Sequence, residues 1–311
     1  MQCFKCGSKL QVGDRFCEEC GTPAIPKATG GCEKCGASVE EIDPDGFCSQ
    51  CGFRQEIKPT DNFEIVISPN FAGISHRGLK HQRNEDYIAC AKVENTNTYI
   101  LVVCDGVSSS ASPDLAAKVA VESACRALER RVGGVDSQQA IKLAIAEAMR
   151  AVSEISYSVT TDVDPPSTTI VAAVVVDNTA TIAWLGDSRA YWIASDGSRQ
   201  LTIDHSWFND VVLSGEMTES EAKQSSQVHA ITRWVGADAG HVEPSIVNFE
   251  IPGSGYLLLC TDGLWNYTPQ VSDLNRLMNS NEDAITLAQK LVEFACLRGG
   301  HDNITVAVLS F

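Results

Sequence analysis

The chain has 311 residues, of which 24 are Lys or Arg and 40 are Asp or Glu, so its formal net charge is −16. This acidic balance argues against a nucleic-acid partner, whose phosphates attract basic side chains, and it suits a protein that binds cations. The length allows one large domain with its own core, together with a smaller segment. The apolar runs are too short to span a bilayer and the first residues lack the apolar region of a signal peptide, so we expect a cytoplasmic protein with no membrane partner.

Eight cysteines lie before residue 52 and form repeated Cys-x2-Cys-Gly turns. Each turn can present two thiolates to one metal, and four thiolates make the closed tetrahedral site of structural zinc. A segment this short buries too little apolar surface to fold alone, so the metal would supply the folding energy. The spacing predicts a double zinc ribbon over residues 1–54 with two zinc ions, and ligand exchange between the two copies stays open. The expected ligand sets are Cys3, Cys6, Cys17 and Cys20 for one zinc, and Cys32, Cys35, Cys48 and Cys51 for the other.

The ribbon segment has no excess of basic residues, so it offers no basic face for DNA or RNA. We therefore expect a protein-docking or regulatory module. Residues 55–62 contain Pro59 and predict a short linker. The main domain is expected over residues 63–311.

The main domain begins and ends with predicted strands, and two long helices lie between them. In chain order the predicted elements are strands 63–67, 86–93 and 98–103, helices 112–131 and 137–156, strands 169–176, 181–185 and 190–194, a polar stretch over 204–236, strand 255–260, helix 283–297 and strand 304–311. This order predicts an α+β sandwich in layers rather than a doubly wound sheet.

Both long helices have an apolar face at helical spacing. We expect the sequence Ser112-Pro113-Asp114 to cap the first of them. The expected faces are Leu115, Val119, Ala120, Ser123, Ala127 and Leu128 in the first helix, and Ile141, Ala144, Ile145, Ala148 and Val152 in the second.

Two apolar runs, 101–106 and 257–263, end in Asp-Gly. Each predicts a buried strand that carries one carboxylate to its end, where glycine lets the chain turn and approach a ligand closely. A single Asp-Gly is more often an ordinary turn, and Asp196-Gly197 is expected to be the turn of a hairpin. Other acidic residues also fall at strand ends, and the candidate site carboxylates are Glu85, Asp86, Asp105, Asp187, Asp262 and Asp302.

Carboxylates gathered in one buried site repel each other unless a cation neutralises them. Ligand sets made only of oxygen favour magnesium or manganese over zinc. Two such ions that share a carboxylate would lower the pKa of a bridging water, which makes a hydroxide available to attack phosphorus.

Several motifs, in order, resemble those of the metal-dependent Ser/Thr protein phosphatases of type 2C. They are Arg83-Asn84-Glu85-Asp86, Asp105-Gly106, Gly186-Asp187-Ser188-Arg189-Ala190-Tyr191, Leu201-Thr202-x-Asp204-His205-Ser206, Asp262-Gly263-Leu264-Trp265 and Asp302-Asn303-Ile304-Thr305-Val306. The resemblance covers residues 63–311 and implies a sandwich of two antiparallel sheets flanked by helices. It also implies a metal centre at one edge of the sandwich, where a metal-bridging water hydrolyses phosphoserine and phosphothreonine without a phosphoenzyme.

The resemblance assigns roles to the metal ligands. It implies that Asp105 bridges two manganese or magnesium ions and that the Gly106 carbonyl binds one of them. Asp262 and Asp302 would complete the ligand set of one ion, and either Glu85 or Asp86 would be a ligand of the other.

Two further features of the family map onto this sequence. Asp187 matches the position that the family links to a third, weaker ion, so the site would hold two or three ions. Residues 204–236 would form the flap beside the site, where substrate preference is often set.

The sequence departs from the family pattern at several positions. His81 stands where the family usually has a phosphate-binding arginine, and either Arg83 or Arg77 is expected to hold the phosphate. His81 or a water at the metal would donate the proton to the leaving group. Ser108-Ser109-Ser110 replaces the family's glycine pair, and Asn266 replaces an acid that often follows Gly-Leu-Trp, which should weaken the third metal.

Two alternatives to a free-standing enzyme stay open. The departures at His81 and Asn266 are compatible with a pseudophosphatase that binds a phosphoprotein without turnover. The ribbons are compatible with a scaffold that recruits a kinase or its substrate. A phosphoprotein substrate is expected in either case, and a cognate Ser/Thr kinase is a candidate partner.

Overall fold

The structure is a computed structural model that describes residues 32, 34–38, 41, 47–53, 61–158, 163–240, 242–278 and 282–311. The chain divides into two compact units, Met1–Pro59 and Thr60–Phe311. The first ribbon copy, with Cys3, Cys6, Cys17 and Cys20, lies outside the described residues.

The second unit contains strands and helices throughout. Its strands are β1 Asn62–Ser68, β2 Phe71–His76, β3 Asp86–Val93, β4 Thr98–Asp105, β5 Ser167–Thr168, β6 Ile170–Val176, β7 Thr179–Leu185, β8 Arg189–Ile193, β9 Arg199–Gln200, β10 Val235–Gly236, β11 Ser245–Glu250, β12 Tyr256–Cys260 and β13 Ile304–Ser310. Its helices are α1 Pro113–Arg131, α2 Ser137–Ser153, α3 Trp207–Leu213, α4 Glu219–Ala222, α5 Asp262–Trp265, α6 Val271–Met278 and α7 Ala284–Leu297.

The strands form two large sheets. One has the order β1-β2-β13-β12-β8-β9 and the other β11-β7-β6-β4-β3, while β5 and β10 form a short ladder. Neighbouring strands pair antiparallel in every case. The expected α+β sandwich of two antiparallel sheets flanked by helices is confirmed.

Strand β4 is buried along almost its whole length because both of its faces are covered. Ile100 and Val102 pack with α1 and α2 on one face. Leu101 and Val103 point the other way and pack against residues of the second sheet. This alternation follows from the two-residue repeat of a strand, and it explains why β4 is a continuous apolar run that ends only at Asp105. Helices α6 and α7 cover the outer face of the six-stranded sheet.

The predicted start and face of α1 need correction. Ser112 has φ 49°, makes no side-chain capping bond, and is followed by Pro113, whose fixed φ suits the first turn. Leu115, expected in the apolar face, is 42% exposed, whereas Ala120, Ala127 and Leu128 of the expected face are buried. Small residues outside the expected face, such as Ala116, are buried as well. Small side chains let the helix lie close to the sheet. The predicted face of α2 is confirmed at all five positions.

In the described part of the chain, five strands and four helices were not predicted: β2, β5, β9, β10 and β11, and α3, α4, α5 and α6. Strand β2 is almost fully buried, yet its sequence mixes Gly, Ser and His with apolar residues and so lacks a clear period. Strand β11 pairs with β7 at the edge of the five-stranded sheet. Helix α6 buries only Leu274 and Met278.

Hydrogen bonds join the two ends of the polar stretch 204–236 to each other. The His205 carbonyl accepts a hydrogen bond of 2.9 Å from the Thr232 amide, and the Ala230 carbonyl accepts one of 2.8 Å from the Trp207 amide. Helices α3 and α4 lie between these anchor points. Within the described ranges, none of the helices combines the length and the apolar character required to cross a bilayer.

Candidate metal centres

Two carboxylates come from the five-stranded sheet. Asp86 is the first residue of β3 and Asp105 the last of β4, and the antiparallel register places them directly opposite each other. Gly106 follows at once, and its amide donates a hydrogen bond of 3.0 Å to the Glu85 carbonyl. A Cβ at Gly106 would lie 2.4 Å from the Pro113 carbonyl oxygen, so only glycine fits this close approach.

The other carboxylates come from the six-stranded sheet. Asp262 begins α5 just after β12, and Asp302 lies just before β13, which pairs with β12. Asp187 lies in the turn between β7 and β8, and β8 is the other neighbour of β12. Strand pairing therefore brings three separate stretches of sequence to one end of the sandwich.

Electrostatic coupling shows that these groups form one cluster. Burial, and then the charges of Asp262 and Asp302, hold the pKa of Asp86 well above its usual range. Burial and the charges of Asp86 and Asp262 do the same to the pKa of Asp105. Burial, followed by the charge of Asp302, raises the pKa of Asp262 to about 6, although Asp105 lies within hydrogen-bonding contact of it. Burial and the Asp262 charge raise the pKa of Asp187 to about 7.

The donor set of the cluster fits hard divalent cations. Asp86 Oδ1 and Asp262 Oδ1 are buried and lack a hydrogen-bond partner within the described part of the chain. Such oxygens are costly to bury because they lose their hydration without replacement. A cation would supply the missing partner, and carboxylate oxygens without histidine or cysteine favour magnesium or manganese.

A network of buried polar side chains is hydrogen-bonded to Asp86. Thr261 Oγ1 donates to Asp86 Oδ2 at 2.9 Å and accepts from the Thr305 amide at 3.0 Å. The Thr305 hydroxyl lies 2.8 Å from the Ser75 hydroxyl, which accepts from Asn84 Nδ2 at 2.8 Å. The sequence analysis missed Ser75, a polar residue within β2, and Thr261, a polar residue that directly follows β12.

Asn303 fixes the loop that precedes β3. Its Oδ1 accepts from the Glu85 amide at 2.7 Å, and its Nδ2 donates to the carbonyls of Arg77 and Arg83 at 2.7 and 3.1 Å. The side chain of Asn303, next to Asp302, therefore binds both the first and the last residues of the loop between β2 and β3.

The two neighbouring acids, Glu85 and Asp86, make different contacts. Asp86 faces the cluster, whereas both oxygens of Glu85 accept hydrogen bonds elsewhere, from Arg83 Nε at 2.7 Å and from Ser108 Oγ at 2.6 Å. His81 Nε2 lies 3.3 Å from Asp302 Oδ1. His81 and Arg83 therefore lie near the cluster but contact different carboxylates.

Asp187 is linked to the stretch 204–236 through two side chains. The Asp187 carbonyl accepts from Trp265 Nε1 at 3.0 Å, and the Arg189 guanidinium stacks 3.5 Å over the Trp265 ring. Arg189 Nε and Nη2 donate to the two carboxylate oxygens of Asp204 at 2.9 and 2.6 Å. Asn266 Nδ2 donates to Asp262 Oδ2 at 3.1 Å, at the position where an acid often stands in the family.

The second ribbon copy forms a separate four-sulfur cluster. The Sγ atoms of Cys32, Cys35, Cys48 and Cys51 all lie within 4.8 Å of one another, and two pairs are 3.6 Å apart. Gly36 and Gly52 follow the turns with φ 77° and 65°, a left-handed conformation that glycine adopts at low cost. The backbone N–H of Cys35 lowers the pKa of the Cys32 thiol to about 6. Four sulfurs at these separations fit a tetrahedral zinc site.

Comparison with known proteins gives consistent matches. The family model described as protein phosphatase 2C matches residues 72–295. The serine/threonine phosphatase stp of Listeria innocua is 29% identical over 236 residues, which are 75% of this chain and 92% of that protein. The structure of the S. agalactiae serine/threonine phosphatase is 26% identical, with a TM-score of 0.64, and the match covers 79% of this chain and 98% of that one.

A further solved structure shares the fold. The catalytic domain of the serine/threonine protein phosphatase PstP, solved in complex with two manganese ions, is 24% identical with a TM-score of 0.63. The match covers 80% of this chain and 98% of that domain. The family match begins after the ribbon segment.

Proposed function

The chain belongs to the protein phosphatase 2C family, and from this premise we propose that its carboxylate cluster is the metal centre of a protein serine/threonine phosphatase acting on phosphoserine and phosphothreonine. The observation that carries the proposal is the pair of buried, unpartnered oxygens on Asp86 and Asp262. They lie within a cluster in which burial and the charges of neighbouring carboxylates raise the pKa of both Asp86 and Asp262. Such a site is costly to bury without cations and suited to bind them.

We assign the metal ligands from their positions around the cluster. Asp105 lies between carboxylates of both sheets and would be a ligand shared by the two ions, together with the Gly106 carbonyl. Asp262 and Asp302 would be further ligands of one ion. Asp86 would be a ligand of the other, because both oxygens of Glu85 accept hydrogen bonds elsewhere. The homologous PstP domain was solved with two manganese ions, and manganese or magnesium is the cofactor that we propose here.

Asp187 is the residue we propose for a third, weaker ion. Asn266 donates to Asp262 where a further acid would add negative charge, which is consistent with weak binding at this position. Residues 204–236 are the proposed flap, because the Arg189–Asp204 pair links their first residue to the turn that carries Asp187.

The protein's own groups orient the substrate and move the proton. Divalent ions at this centre supply charge neutralisation and a hydroxide at neutral pH. His81 Nε2, 3.3 Å from Asp302 Oδ1, stands beside the cluster and can donate its proton to the leaving serine or threonine oxygen. Arg83 donates to Glu85, the residue before Asp86, and would supply positive charge for the phosphate.

The proposed chain has three parts. Residues 1–54 form the double zinc ribbon, residues 55–62 are a linker, and residues 63–311 form the catalytic domain. We propose that each copy holds one structural zinc and that the module docks a phosphoprotein substrate or a cognate Ser/Thr kinase. A reducing, cytoplasmic location is consistent with the unpaired thiols of the catalytic domain, such as Cys104 and Cys260.

The test is phosphate release from a phosphothreonine peptide by the full chain. We expect release that requires manganese, stops with a chelator, and falls by several orders of magnitude in Asp105→Ala. Asp105→Asn, which keeps the side-chain shape, controls for loss of folding. Absence of release from a wild-type protein with confirmed manganese occupancy would contradict the proposal and favour the pseudophosphatase alternative.

A further inference from the structure

Strand β1 is the last strand of the six-stranded sheet, with β2 on one side only. The Arg77 amide donates to the Asp61 carbonyl at 3.0 Å, which makes these two residues a hydrogen-bonded pair of the β1–β2 ladder. Because hydrogen-bonded and non-hydrogen-bonded pairs alternate along an antiparallel ladder, the backbone groups of Asn62, Glu64 and Val66 point away from β2. Among the described strands none pairs with this outer edge. The edge therefore offers backbone N–H and C=O groups to another strand.

Strand β1 carries little of the protection that edge strands usually have. Its seven residues include one charged side chain, Glu64, and no proline. Val66 is 57% exposed and Ile67 is 38% exposed. The register shift between Val66 and Ser68 lies at the far end of the strand, so residues 62–66 remain regular. Charges, prolines and bulges normally keep an exposed edge from pairing, and their scarcity over residues 62–66 indicates an edge that accepts a strand.

A cleft of about 610 Å³ lies beside this edge, between β1, β2 and α7. Its apolar lining includes Ile74 of β2 and Val292 of α7, both buried, and Leu79, which is 59% exposed. Asn62 and Glu64, whose backbone groups face the open edge, line the same cleft. Side chains alternate between the two faces of a sheet, so a strand added to β1 would place every second side chain over this cleft.

Two acidic side chains, Glu64 and Glu293, also line the cleft, and both residues are exposed. Glu64 Oε1 accepts from Gln289 Nε2 at 3.0 Å, a neutral donor that leaves the charge in place. Burial, followed by the charge of Glu293, raises the pKa of the Cys296 thiol in the same cleft. Neither acid forms an ion pair with a lysine or arginine of the described ranges. The cleft therefore combines an apolar centre with uncompensated negative charge.

The charge of the cleft selects among possible occupants. A second copy of this chain would bring its own net charge of −16 and the same acidic pair to the interface, and like charges oppose that association. A basic segment of another protein gains from the same charges. Its apolar side chain would be covered by the cleft while its main chain pairs with β1.

We propose that the outer edge of β1 and the adjoining cleft bind an extended segment of a partner protein, which adds a strand to the sheet and carries one large apolar side chain flanked at two residues on either side by basic residues. The apolar side chain enters the cleft, and the basic side chains, which share its face, lie near Glu64 and Glu293. This inference does not rest on the proposed phosphatase activity.

The probe is the synthetic peptide Ser-Lys-Thr-Leu-Thr-Arg-Ser, labelled with fluorescein at its N-terminus and amidated at its C-terminus. Its binding to the full, manganese-loaded chain is measured by fluorescence anisotropy. We expect saturable binding that weakens as salt is added. Replacing the leucine of the peptide by serine should weaken binding about 10-fold or more, because the buried apolar contact is lost. Replacing its lysine and arginine by glutamate should weaken binding at least as much.

Backbone pairing is tested by methylating single amide nitrogens of the peptide. Only alternate N–H groups of a strand point to a given neighbour. Methylation of the leucine nitrogen and methylation of the following threonine nitrogen should therefore differ, one costing about 10-fold in affinity and the other little. A loss at leucine identifies an antiparallel addition, and a loss at threonine a parallel one. Equal effects at both positions would overturn the added strand.

Variants of the protein test the cleft itself. Glu64→Gln and Glu293→Gln should each weaken peptide binding about 2- to 5-fold, as expected for exposed charge pairs. Leu79→Ser should weaken it about 3- to 10-fold by removing part of the apolar lining. The matched control is Glu129→Gln, an equal charge change on α1, which covers the other sheet, and it should bind the peptide as the wild type does. Thermal unfolding identifies any variant that has lost its fold.

The remaining outcomes also decide the inference. Failure of the wild type to bind the peptide, or equal binding by all four variants, would overturn it. A dimer of the full chain in sedimentation that the peptide dissociates would replace the partner segment by a second copy and so overturn the proposed occupant. Turnover of p-nitrophenyl phosphate with manganese is measured separately, and its absence in the wild type would contradict the proposed function while leaving the peptide-binding result in force.

Discussion

Asp86 and Asp105 face each other across the β3–β4 ladder, and burial and neighbouring carboxylates raise the pKa of each well above its usual range. In the absence of cations this pair opposes folding, because the charged form is both desolvated and repelled. The metal centre is therefore built at the expense of the stability of the metal-free protein.

Asp86→Asn should stabilise the metal-free protein and weaken metal binding. The amide keeps the shape of the carboxylate and donates to a neighbouring carboxylate instead of repelling it. We expect a gain of about 1–3 kcal/mol in chelator, which raises Tm by several degrees in a domain of this size. The stabilisation of the protein by manganese, measured by scanning calorimetry, should shrink. A metal-free Tm below that of wild type would show that the Asp86 charge is already neutralised by protein groups.

The metal-free protein should lose stability as pH rises from about 4 to about 7. The pKa of Asp262 is raised to about 6 and that of Asp187 to about 7, so the folded state retains protons that the unfolded chain releases near its ordinary value. Stability from these groups is present at low pH and is lost as pH rises through the folded pKa values. Saturating manganese should reverse the trend, because metal binding requires deprotonated ligands. Tm measured between pH 5 and 8, with chelator and with manganese, should give opposite slopes, and parallel slopes would contradict the metal assignment.

Arg189→Lys should weaken the link between Asp187 and the segment 204–236. Lysine keeps the charge but cannot both stack on Trp265 and bind the two oxygens of Asp204. Because the pair is largely buried, we expect a loss of about 1–3 kcal/mol, together with faster proteolysis within 204–236 and a change in Trp265 fluorescence.

Tyr191→Phe is the matched control for Arg189→Lys. It removes only the hydroxyl that accepts from Arg189 Nη1 at 3.1 Å, so its effect should be no more than about 1 kcal/mol. If the two variants are proteolysed equally fast, Arg189 does not anchor the segment.

The sequence predicted the residues of the carboxylate cluster because most of them lie at the start or the end of a recognisable strand. Asp105 and Asp262 terminate apolar runs, and the antiparallel sheets that bring such ends together follow from the family pattern. The hydrogen bond between Ser108 and Glu85 was not predictable, because 23 residues separate the two and no local period connects them. The choice between Glu85 and Asp86 likewise required the structure, since adjacent residues at the start of a strand point to opposite sides.

The packing of α1 shows why burial was harder to predict than helix position. The sequence analysis favoured the larger apolar side chain Leu115, but a helix that lies close to a sheet buries its small residues. Alanine carries little information about which face of a helix is buried. In α2, by contrast, Ile141 and Ile145 mark the buried face clearly.

His205→Asn should remove one contribution to the dependence of stability on pH, namely the part that is lost towards acid pH. The ring stacks on Trp184 at a centroid distance of 5.9 Å, accepts from the Gly186 amide at 3.3 Å and contacts Ser245 Oγ at 2.9 Å. Burial, assisted by the charge of Arg233, lowers the pKa of His205 to about 4. The unfolded chain takes up this proton first, so the contribution of His205 to the stability is lost as pH falls from about 6.5 to about 4, opposite in sign to that of the carboxylate cluster.

The contribution of His205 is measured as a difference between two proteins. Asparagine retains an acceptor for the Gly186 amide and cannot titrate in this range. The carboxylate cluster contributes equally to both proteins in chelator, so the difference in unfolding free energy between wild type and His205→Asn isolates the ring. We expect that difference to change by up to about 3 kcal/mol between pH 7 and pH 4. A constant difference would mean that His205 stays neutral or stays charged in both the folded and the unfolded state.

Cys48→Ser should remove one zinc ion from the full chain without abolishing turnover of a small phosphate ester. Its sulfur lies 3.6 Å from that of Cys35, and loss of one thiolate opens a closed tetrahedral site. The matched control is Cys125→Ser, which alters a buried thiol of the catalytic domain and should retain all bound zinc. Metal analysis by mass spectrometry gives the zinc content, and turnover of p-nitrophenyl phosphate with manganese reports on the catalytic centre. Retained zinc in Cys48→Ser would contradict the four-cysteine site, whereas lost turnover together with lost zinc would show that the ribbon supports catalysis rather than docking alone.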